Sequence, residues 1–268
     1  MTRHSLTLIG AGRMGSAMLG GWLKQGMSGQ IAIHDPTPSD HLRTLASKGD
    51  ITLNATPHPA KTLIVAVKPQ VFASVADAIR AHVGPQTQVL SIMAGVSLET
   101  LETRLQTPNV SRAMPNTPGL VGQGVTLTCF KPETPARLRS HIQKLLEPLG
   151  AVEGPIDEDL LPVATAISGC GPAYGFLLAE VMAAAGTAHG LDPDLAARLA
   201  RKTVEGAGAL MAGSQETATT LRKNVTSPNG VTEAALEVLM QDSAMPSLFE
   251  NAVGAAIARD KALNEETK

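Results

Sequence analysis

Short apolar runs alternate with helically spaced apolar positions through the first half of the chain. Six runs predict strands, at residues 6–9, 30–34, 62–67, 87–92, 109–114 and 124–129. After the first run, apolar residues recur at the spacing of one helix face, at Met14, Ala17, Met18, Gly21 and Trp22. Strands separated by helix-length segments are typical of βαβ units. We therefore expect a parallel sheet with helices on both faces.

The second half lacks this alternation and consists of long stretches rich in Ala, Leu, Val and Met. Pro172 and Asp192 are typical of helix starts, and Gly190 is typical of a helix end. No segment in this half resembles a strand. We therefore expect two domains, an α/β domain over residues 1–156 and an all-α domain over residues 157–268.

The helical half has few bulky side chains from which to build a core of its own. Ala and Gly dominate residues 179–190 and 205–213, so helix axes can approach closely there. We expect this half to pack against a second copy of itself, in a homodimer or a larger homo-oligomer. The alternative is an ordinary helical domain that folds against its own first half.

Composition narrows the classes of partner. The 268 residues include 22 basic and 24 acidic side chains, for a formal net charge of −2, so we expect no nucleic-acid partner. Cys129 and Cys170 lack the spacing of a metal site and cannot make a disulfide framework. No apolar run approaches the ~20 residues that span a bilayer. These observations predict a cytoplasmic protein without a metal or a membrane partner.

The strongest local motif is Gly10-Ala11-Gly12-Arg13-Met14-Gly15, between the first predicted strand and the first predicted helix. In this context the motif is typical of dinucleotide binding. The first glycine permits a tight turn, the second lets the backbone approach a pyrophosphate, and the third lets helix and strand pack closely. Backbone N–H groups at the helix start then face the anion. A glycine turn without a ligand is the alternative.

Asp35 ends the second predicted strand and bears on the choice of cofactor. A carboxylate there can accept hydrogen bonds from the adenosine ribose of NAD, and it would repel the extra phosphate of NADP. An aspartate that only forms the turn before Pro36 is nearly as consistent with the sequence. No arginine follows directly, and Arg43 is the nearest downstream. The sequence therefore favours NAD and leaves NADP open.

Further segments follow later strands, at the sheet edge where ligands bind in such folds. The segment Ala66-Val67-Lys68-Pro69 contains a lysine that is a candidate to bind a phosphate or a carboxylate. A lysine that is only solvated in a loop is equally consistent with the sequence. Residues 91–95 end another strand at the same predicted edge. Met114-Pro115-Asn116-Thr117-Pro118 predicts a rigid turn that either walls the site or only reverses the chain.

Two segments of the helical half are candidates for ligand contact. Asn229-Gly230-Val231-Thr232 precedes a predicted helix, whose first N–H groups could hold a carboxylate; N-capping by Asn229 or Thr232 is the alternative. In the other segment, Cys170 is more consistent with a small packing residue than with a nucleophile, because no histidine or lysine lies nearby in sequence. Tyr174 either points its hydroxyl into a site or makes a buried helix contact.

The helical half also lacks an obvious general acid or base beside these segments. No lysine occurs between Lys144 and Lys202, and His189 is the only histidine after His141. Hydride transfer to or from an alcohol usually needs such a group. A protonated imine is already electrophilic, so the gap favours an imine over a hydroxy acid as substrate.

Together these motifs resemble the pyrroline-5-carboxylate reductases over almost the whole chain. The similar segments, in order, are Ile9–Gly15, Ala66–Gln70, Ser91–Val96, Arg112–Pro118, Ser168–Tyr174 and Leu221–Thr232. Their combination and order make the resemblance specific. It implies reduction of Δ1-pyrroline-5-carboxylate to L-proline by NADPH or NADH.

The resemblance also implies a fold and roles for residues. A Rossmann-type N-terminal domain would be followed by a helical domain that interlocks into dimers, with larger rings in some members. Ala66-Val67-Lys68 and Ala94 would border the cofactor. Thr232 would lie near the ring nitrogen, and Asn229-Gly230-Val231 would offer backbone groups to the substrate carboxylate. The pyrroline would bind between the sheet edge and the helical half.

Three positions depart from the family pattern and bear on substrate affinity. Cys170 replaces the usual serine, and Gln215 stands where many members have a glutamate. Asn229 replaces a glycine, although asparagine tolerates left-handed backbone better than most residues.

Two other functions stay open from the sequence. A β-hydroxyacid dehydrogenase would carry a catalytic lysine on a helix of the second domain, which the lysine gap disfavours. A nucleotide-sensing regulator would bind the cofactor without oxidising it, and nothing in the sequence favours it.

Overall fold

Eight strands form one sheet in the first half of the chain, and the computed structural model describes residues 5–267. The strands are β1 (Leu6–Ile9), β2 (Ile31–His34), β3 (Ile51–Leu53), β4 (Thr62–Val65), β5 (Gln88–Ser91), β6 (Val110–Pro115), β7 (Gly124–Phe130) and β8 (Gly150–Glu153). Their order in the sheet is β3-β2-β1-β4-β5-β6-β7-β8. Neighbours run parallel except for β6 and β7. The expected Rossmann-type sheet is confirmed.

Helices cover both faces of this sheet. They are α1 (Arg13–Lys24), α2 (Asp40–Ser47), α3 (Pro69–Arg80), α4 (Leu98–Leu105) and α5 (Ala136–Leu146). Ser39 caps α2, since its hydroxyl accepts a hydrogen bond from the Leu42 N–H at 3.4 Å. In β4, Ile64 packs into the apolar cluster of one face, and Leu63 and Val65 pack into that of the other. The continuous β-branched run therefore reflects a strand buried on both sides.

The sheet differs from the prediction at β3, β7 and β8. The sequence does not predict β3 or β8, because these short strands lie at the two edges of the sheet and have too few buried positions to leave an apolar pattern. The expectation of a wholly parallel sheet is wrong at β7, which pairs antiparallel with β6. The connection between these two strands is too short to hold a crossover helix, so the chain must turn straight back.

The described residues after β8 contain helices and no strand, as expected. The helices are α6 (Leu161–Ser168), α7 (Gly171–Ala188), α8 (Pro193–Ala212), α9 (Ala218–Asn224), α10 (Val231–Leu239) and α11 (Met245–Thr267). Asp192 caps α8 by accepting the Leu195 N–H at 2.9 Å. The short helices α6 and α9 were not predicted.

The chain forms two compact units. The first contains the described residues up to Gly169 together with those from Ala256 onward, and the second is Cys170–Ala255. The division expected after residue 156 therefore differs from the units, because α6 and the second half of α11 belong to the first unit. Leu161 of α6 is buried in the apolar cluster on one face of the sheet, which explains this assignment.

The second unit lacks a buried core of its own. Within α7, every residue of which is described, no side chain is buried, and in α8 only Ala196 and Ala200 are. Large apolar side chains such as Phe176, 70% exposed, and Leu248, 64% exposed, remain uncovered in the single chain. Burying such side chains is the main favourable term in folding, so this surface needs a further partner.

One stretch corrects the expectation that no segment is long enough to cross a membrane. Glu158–Ala188 is long and apolar enough by length and composition, although only 11% of its apolar window is buried. It comprises α6, α7 and the turn before them. Because a helix whose apolar face packs on protein has the same composition, this finding alone assigns no membrane.

Three histidines come together in the first unit. The His82 ring contacts that of His34, with centroids 4.2 Å apart and the two ring planes tilted by 59°. Burial, and then the charge of nearby His34, lower the pKa of His82 to about 4, and a hydrogen bond to the His58 backbone opposes this only partly. His82 therefore stays neutral in the folded protein at pH values where it is protonated in the unfolded chain.

We expect this histidine to make the fold sensitive to acid. Unfolded His82 takes up a proton near pH 6.5 and folded His82 only near pH 4, so its contribution to stability is lost as the pH falls through this window. In urea unfolding at several pH values, His82→Gln should therefore lose less stability between pH 7 and pH 5 than the wild type. His41→Gln, an exposed control, should follow the wild type. Identical pH profiles for wild type and His82→Gln would refute the expectation.

Candidate functional site

The glycine motif forms a tight turn between β1 and α1. Gly10 has a φ of +87°, and a Cβ there would lie 2.9 Å from the Ala66 carbonyl oxygen. A Cβ on Gly15 would lie 2.4 Å from the Gly10 carbonyl oxygen, whereas one on Gly12 would meet nothing within 4 Å. Gly10 and Gly15 are thus needed for the turn and for helix–strand packing, and Gly12 keeps an open surface.

The N-terminus of α1 lies at this open surface, and no side chain accepts hydrogen bonds from its first backbone N–H groups. Gly12 is the N-cap residue, and no side chain caps the helix. Arg13 begins the helix and is exposed, while Met14 packs against the apolar cluster. Free N–H groups and the positive end of the helix dipole favour an anion here. The geometry therefore fits the pyrophosphate of a dinucleotide.

Asp35 lies beside the glycine turn, at the end of β2. Its Oδ2 accepts the Ala11 N–H at 2.8 Å, and its Oδ1 accepts the Thr37 N–H at 2.9 Å. Each carboxylate oxygen keeps a further lone pair. Asp35 therefore forms the predicted turn, and its carboxylate can still accept further hydrogen bonds.

The loop after β4 lies next to the same turn. The Ala66 N–H donates to the Ile9 carbonyl at 2.8 Å, and Val67 is half-buried. Lys68 is exposed at the N-cap of α3, and Pro69 begins that helix. The structure thus brings the glycine motif, Asp35 and this loop together at the carboxyl edge of the sheet, as the sequence predicts.

Ala94, in the loop after β5, is half-buried and precedes Gly95. Gly95 has a φ of +64°, and a Cβ there would lie 2.7 Å from the Leu263 Cβ. The second half of α11 therefore packs directly against this loop.

The sequence did not predict a cluster of charged side chains around buried Arg112, which lies near the same loop. Arg112 on β6 is only 6% exposed, and its Nη1 donates to Glu158 Oε1 at 2.7 Å. Burial raises the pKa of the Asp260 carboxyl, while the charge of Arg112 and a hydrogen bond from the Gly95 backbone lower it. No sequence signal indicates this cluster, because its members are far apart in the chain.

Asn116 links two elements of the first unit, β7 and the end of α6, through its side-chain amide. Its Nδ2 donates to the Ser168 carbonyl at 2.9 Å, and its Oδ1 accepts the Val125 N–H at 2.9 Å. Both ends of the side chain amide are therefore used to hold β7 and the end of α6. This assigns the rigid turn after β6 a structural role.

In the second unit, α10 begins at Val231 with Gly230 as its N-cap and no side-chain cap, so capping by Asn229 or Thr232 is wrong. Asn229 adopts the left-handed φ of 57° that the sequence allows. Its N–H donates to Glu233, and the Gly230 N–H donates to the Ser227 carbonyl. A carboxylate ligand would therefore rely on the N–H groups of Val231 and Thr232.

The other candidates of the second unit are Tyr174, Cys170 and Gln215. The Tyr174 ring makes an edge contact with Phe249, with centroids 5.6 Å apart. Burial and neighbouring Cys170 raise the pKa of Tyr174, and the two side chains are hydrogen-bonded. Cys170 is a free cysteine and Gln215 is exposed. Tyr174 thus makes a helix contact, but not the buried one that the sequence left as an alternative, since Phe249 is 42% exposed.

Comparison with known families gives two matches. The family model described as pyrroline-5-carboxylate reductase dimerisation matches residues 158–263. The model described as NADP oxidoreductase, coenzyme F420-dependent, matches residues 5–95. The two matches fall on the helical half and on the glycine-motif region, respectively.

Relatives are similar over the full length. A pyrroline-5-carboxylate reductase of Pseudomonas aeruginosa is 33% identical, with 99% of each chain covered. The structure of a pyrroline-5-carboxylate reductase from Coxiella burnetii superposes with a TM-score of 0.87 at 28% identity, covering 98% of this chain and 99% of that one. A Plasmodium falciparum pyrroline carboxylate reductase with NADP bound gives a TM-score of 0.80 at 27% identity, covering 98% and 100%.

The glycine turn predicts opposite outcomes for two similar substitutions. Gly12→Ala places a methyl group on the open surface, so NAD(P)H binding should weaken about tenfold or more while the melting temperature stays unchanged. Gly15→Ala drives a methyl group into the Gly10 carbonyl and should destabilise the fold by about 1–3 kcal/mol. Fluorescence titration with NAD(P)H and thermal unfolding measure the two effects. Unchanged cofactor affinity in Gly12→Ala would contradict the assignment.

Proposed function

The chain belongs to the pyrroline-5-carboxylate reductase family, and on this premise we propose that it reduces Δ1-pyrroline-5-carboxylate to L-proline with NADH or NADPH. The observation that carries the proposal is that the N-terminus of α1 has no side-chain cap and that the surface beside Gly12 is open. The helical half of the same chain matches the family's dimerisation model. An oxidoreductase of this kind acts on an imine carbon. That fits a helical half without a lysine between Lys144 and Lys202.

The first unit provides the residues that would hold the cofactor. Backbone N–H groups of Gly12-Arg13-Met14 would bind the pyrophosphate, and Asp35 would accept the adenosine ribose hydroxyls. The remaining part of the cofactor would be bordered by Ala66-Val67-Lys68 and by Ala94. Bound NAD(P)H supplies the hydride, and these residues fix its orientation and limit water at the edge of the sheet.

The second unit provides the residues proposed for the substrate. The Val231 and Thr232 N–H groups, at the positive end of α10, would bind the pyrroline carboxylate. The Thr232 hydroxyl would hydrogen-bond the ring nitrogen and so orient the imine. The nitrogen keeps its proton through the reaction, so no side chain needs to donate one at the moment of transfer.

A second copy of the chain would cover the apolar surface of the second unit. We therefore propose a cytoplasmic homodimer or larger homo-oligomer, supported by the uncovered Phe176 and Leu248 and by the family match over residues 158–263. Such an assembly also explains why Glu158–Ala188 is apolar without any role for a membrane.

The direct test is oxidation of NADH and NADPH by the purified protein with Δ1-pyrroline-5-carboxylate, beside a panel of β-hydroxy acids with NAD⁺ and NADP⁺. The proposal expects turnover with the pyrroline and none with the hydroxy acids. Cofactor binding without turnover would instead favour a nucleotide-sensing regulator. Turnover of a hydroxy acid alone would favour a dehydrogenase.

Asp35 should set the choice between the two cofactors. Because its carboxylate would repel the additional phosphate of NADPH, the wild type should show a higher kcat/KM with NADH. Asp35→Ser removes the charge and should shift the ratio toward NADPH by about tenfold, the effect of roughly 1.4 kcal/mol. Steady-state kinetics with both cofactors decides this. A wild type that prefers NADPH would refute the role of Asp35.

Thr232 should affect turnover of the pyrroline and not binding of the cofactor. Removing its hydroxyl in Thr232→Ala should lower kcat about tenfold, the value of one hydrogen bond of roughly 1.5 kcal/mol, while NAD(P)H affinity stays unchanged. Thr232→Ser should retain most of the activity. Thr44→Ala, which removes an exposed hydroxyl on α2, is the matched control. Wild-type kinetics in Thr232→Ala would rule out the proposed contact.

A further inference from the structure

The first unit contains a charged cluster that no part of the proposed reaction uses. Arg112, Glu158, Asp260 and Gly95 line one cavity of about 290 Å³ behind the loop that contains Ala94. Arg112 is more than nine-tenths buried, and its Nε has no hydrogen-bond partner among the described residues. A buried guanidinium is costly unless carboxylates compensate its charge. Glu158 and Asp260 provide these carboxylates from two different parts of the chain.

Glu158 connects this cluster to the start of α4. Its Oε1 accepts both Arg112 Nη1 at 2.7 Å and the Leu98 backbone N–H at 2.8 Å. Ser97 caps the same helix by accepting the Thr100 N–H at 3.1 Å. The C-terminal side of the loop after β5 is therefore fixed to β6 and to residue 158.

Asp260 holds the other side of that loop. Its carboxylate accepts a hydrogen bond from the Gly95 backbone and lies within reach of the Arg112 charge. Gly95 packs closely on α11, since a Cβ there would lie 3.4 Å from the Asp260 carbonyl oxygen and closer still to Leu263. The last helix thus contacts the loop through both a side-chain acceptor and backbone packing.

We propose that Asp260 is a positioning residue for the cofactor, which acts by holding the Ala94–Ser97 loop in place through Gly95 while Arg112 and Glu158 fix the opposite end. This inference rests on the proposed function, because it takes Ala94 as part of the cofactor border. It gives the end of the last helix a role in cofactor binding that the glycine motif alone does not reveal.

The test compares Asp260→Ala, which removes the acceptor, with Asp260→Asn, which keeps an oxygen acceptor for the Gly95 N–H. Asp260→Ala should raise the Kd for NADH and the KM for NADH about five- to tenfold, with the KM for the pyrroline unchanged. Asp260→Asn should stay within about twofold of the wild type in Kd. Asp77→Asn, an exposed carboxylate on α3 whose side chain is 87% exposed, is the matched control and should match the wild type.

Hydrogen exchange provides a readout that does not depend on catalysis. In Asp260→Ala, amide exchange should accelerate in a peptide covering residues 93–98 and stay at the wild-type rate in peptides from β1 and α1. Exchange that accelerates evenly across the first unit, with a matching loss of melting temperature, would show a purely structural role and overturn the proposal. A wild-type Kd for NADH in Asp260→Ala, or an Asp260→Asn as impaired as Asp260→Ala, would also overturn it.

The two proposals can fail separately. If the wild type binds NADH but does not reduce the pyrroline, the proposed function fails, while the Kd and exchange comparison still decides the role of Asp260. If the pyrroline is reduced and Asp260→Ala binds NADH as the wild type does, only the positioning role fails.

Discussion

The structure depends on the close contact between the Gly10 carbonyl and the backbone of Gly15. A Cβ on Gly15 would lie 2.4 Å from that oxygen, so only glycine lets α1 begin directly above the end of β1. This contact places the uncapped donors of α1 at the carboxyl edge of the sheet. Asp35 then holds the turn through the Ala11 N–H, and the Ala66 loop lies beside it. The proposed anion-binding surface therefore follows from backbone geometry, and we expect the side chains around it to set its selectivity.

The sequence predicted those features whose cause is local. Asp192, typical of a helix start, caps α8 because its side chain reaches the N–H three residues on. The strand β7 was predicted but its antiparallel direction was not, since the length of a connection leaves no apolar period. The short edge strands β3 and β8 were not predicted, because few of their residues are buried. The Arg112–Glu158 pair escaped as well, because its members lie 46 residues apart and meet only when the sheet forms.

The second unit shows a different limit of sequence reasoning. Its glycine and alanine content predicted close helix packing, and the single chain leaves apolar side chains such as Phe176 uncovered. At α10, sequence reasoning gave three backbone donors to a carboxylate at 229–231. The folded chain uses two of them internally, through Ser227 and Glu233. Local conformation, which a motif does not record, therefore moves the proposed contact to Val231 and Thr232.

The central claim is that a reductant held at the glycine turn reduces the carbon–nitrogen double bond of a small cyclic imine. The most direct measurement uses NADH in which both hydrogens on the hydride-transferring nicotinamide carbon are replaced by deuterium, with mass spectrometry of the product. The account predicts L-proline with one deuterium on the ring carbon that was the imine carbon. Unlabelled proline, or consumption of NADH with no proline formed, would contradict it.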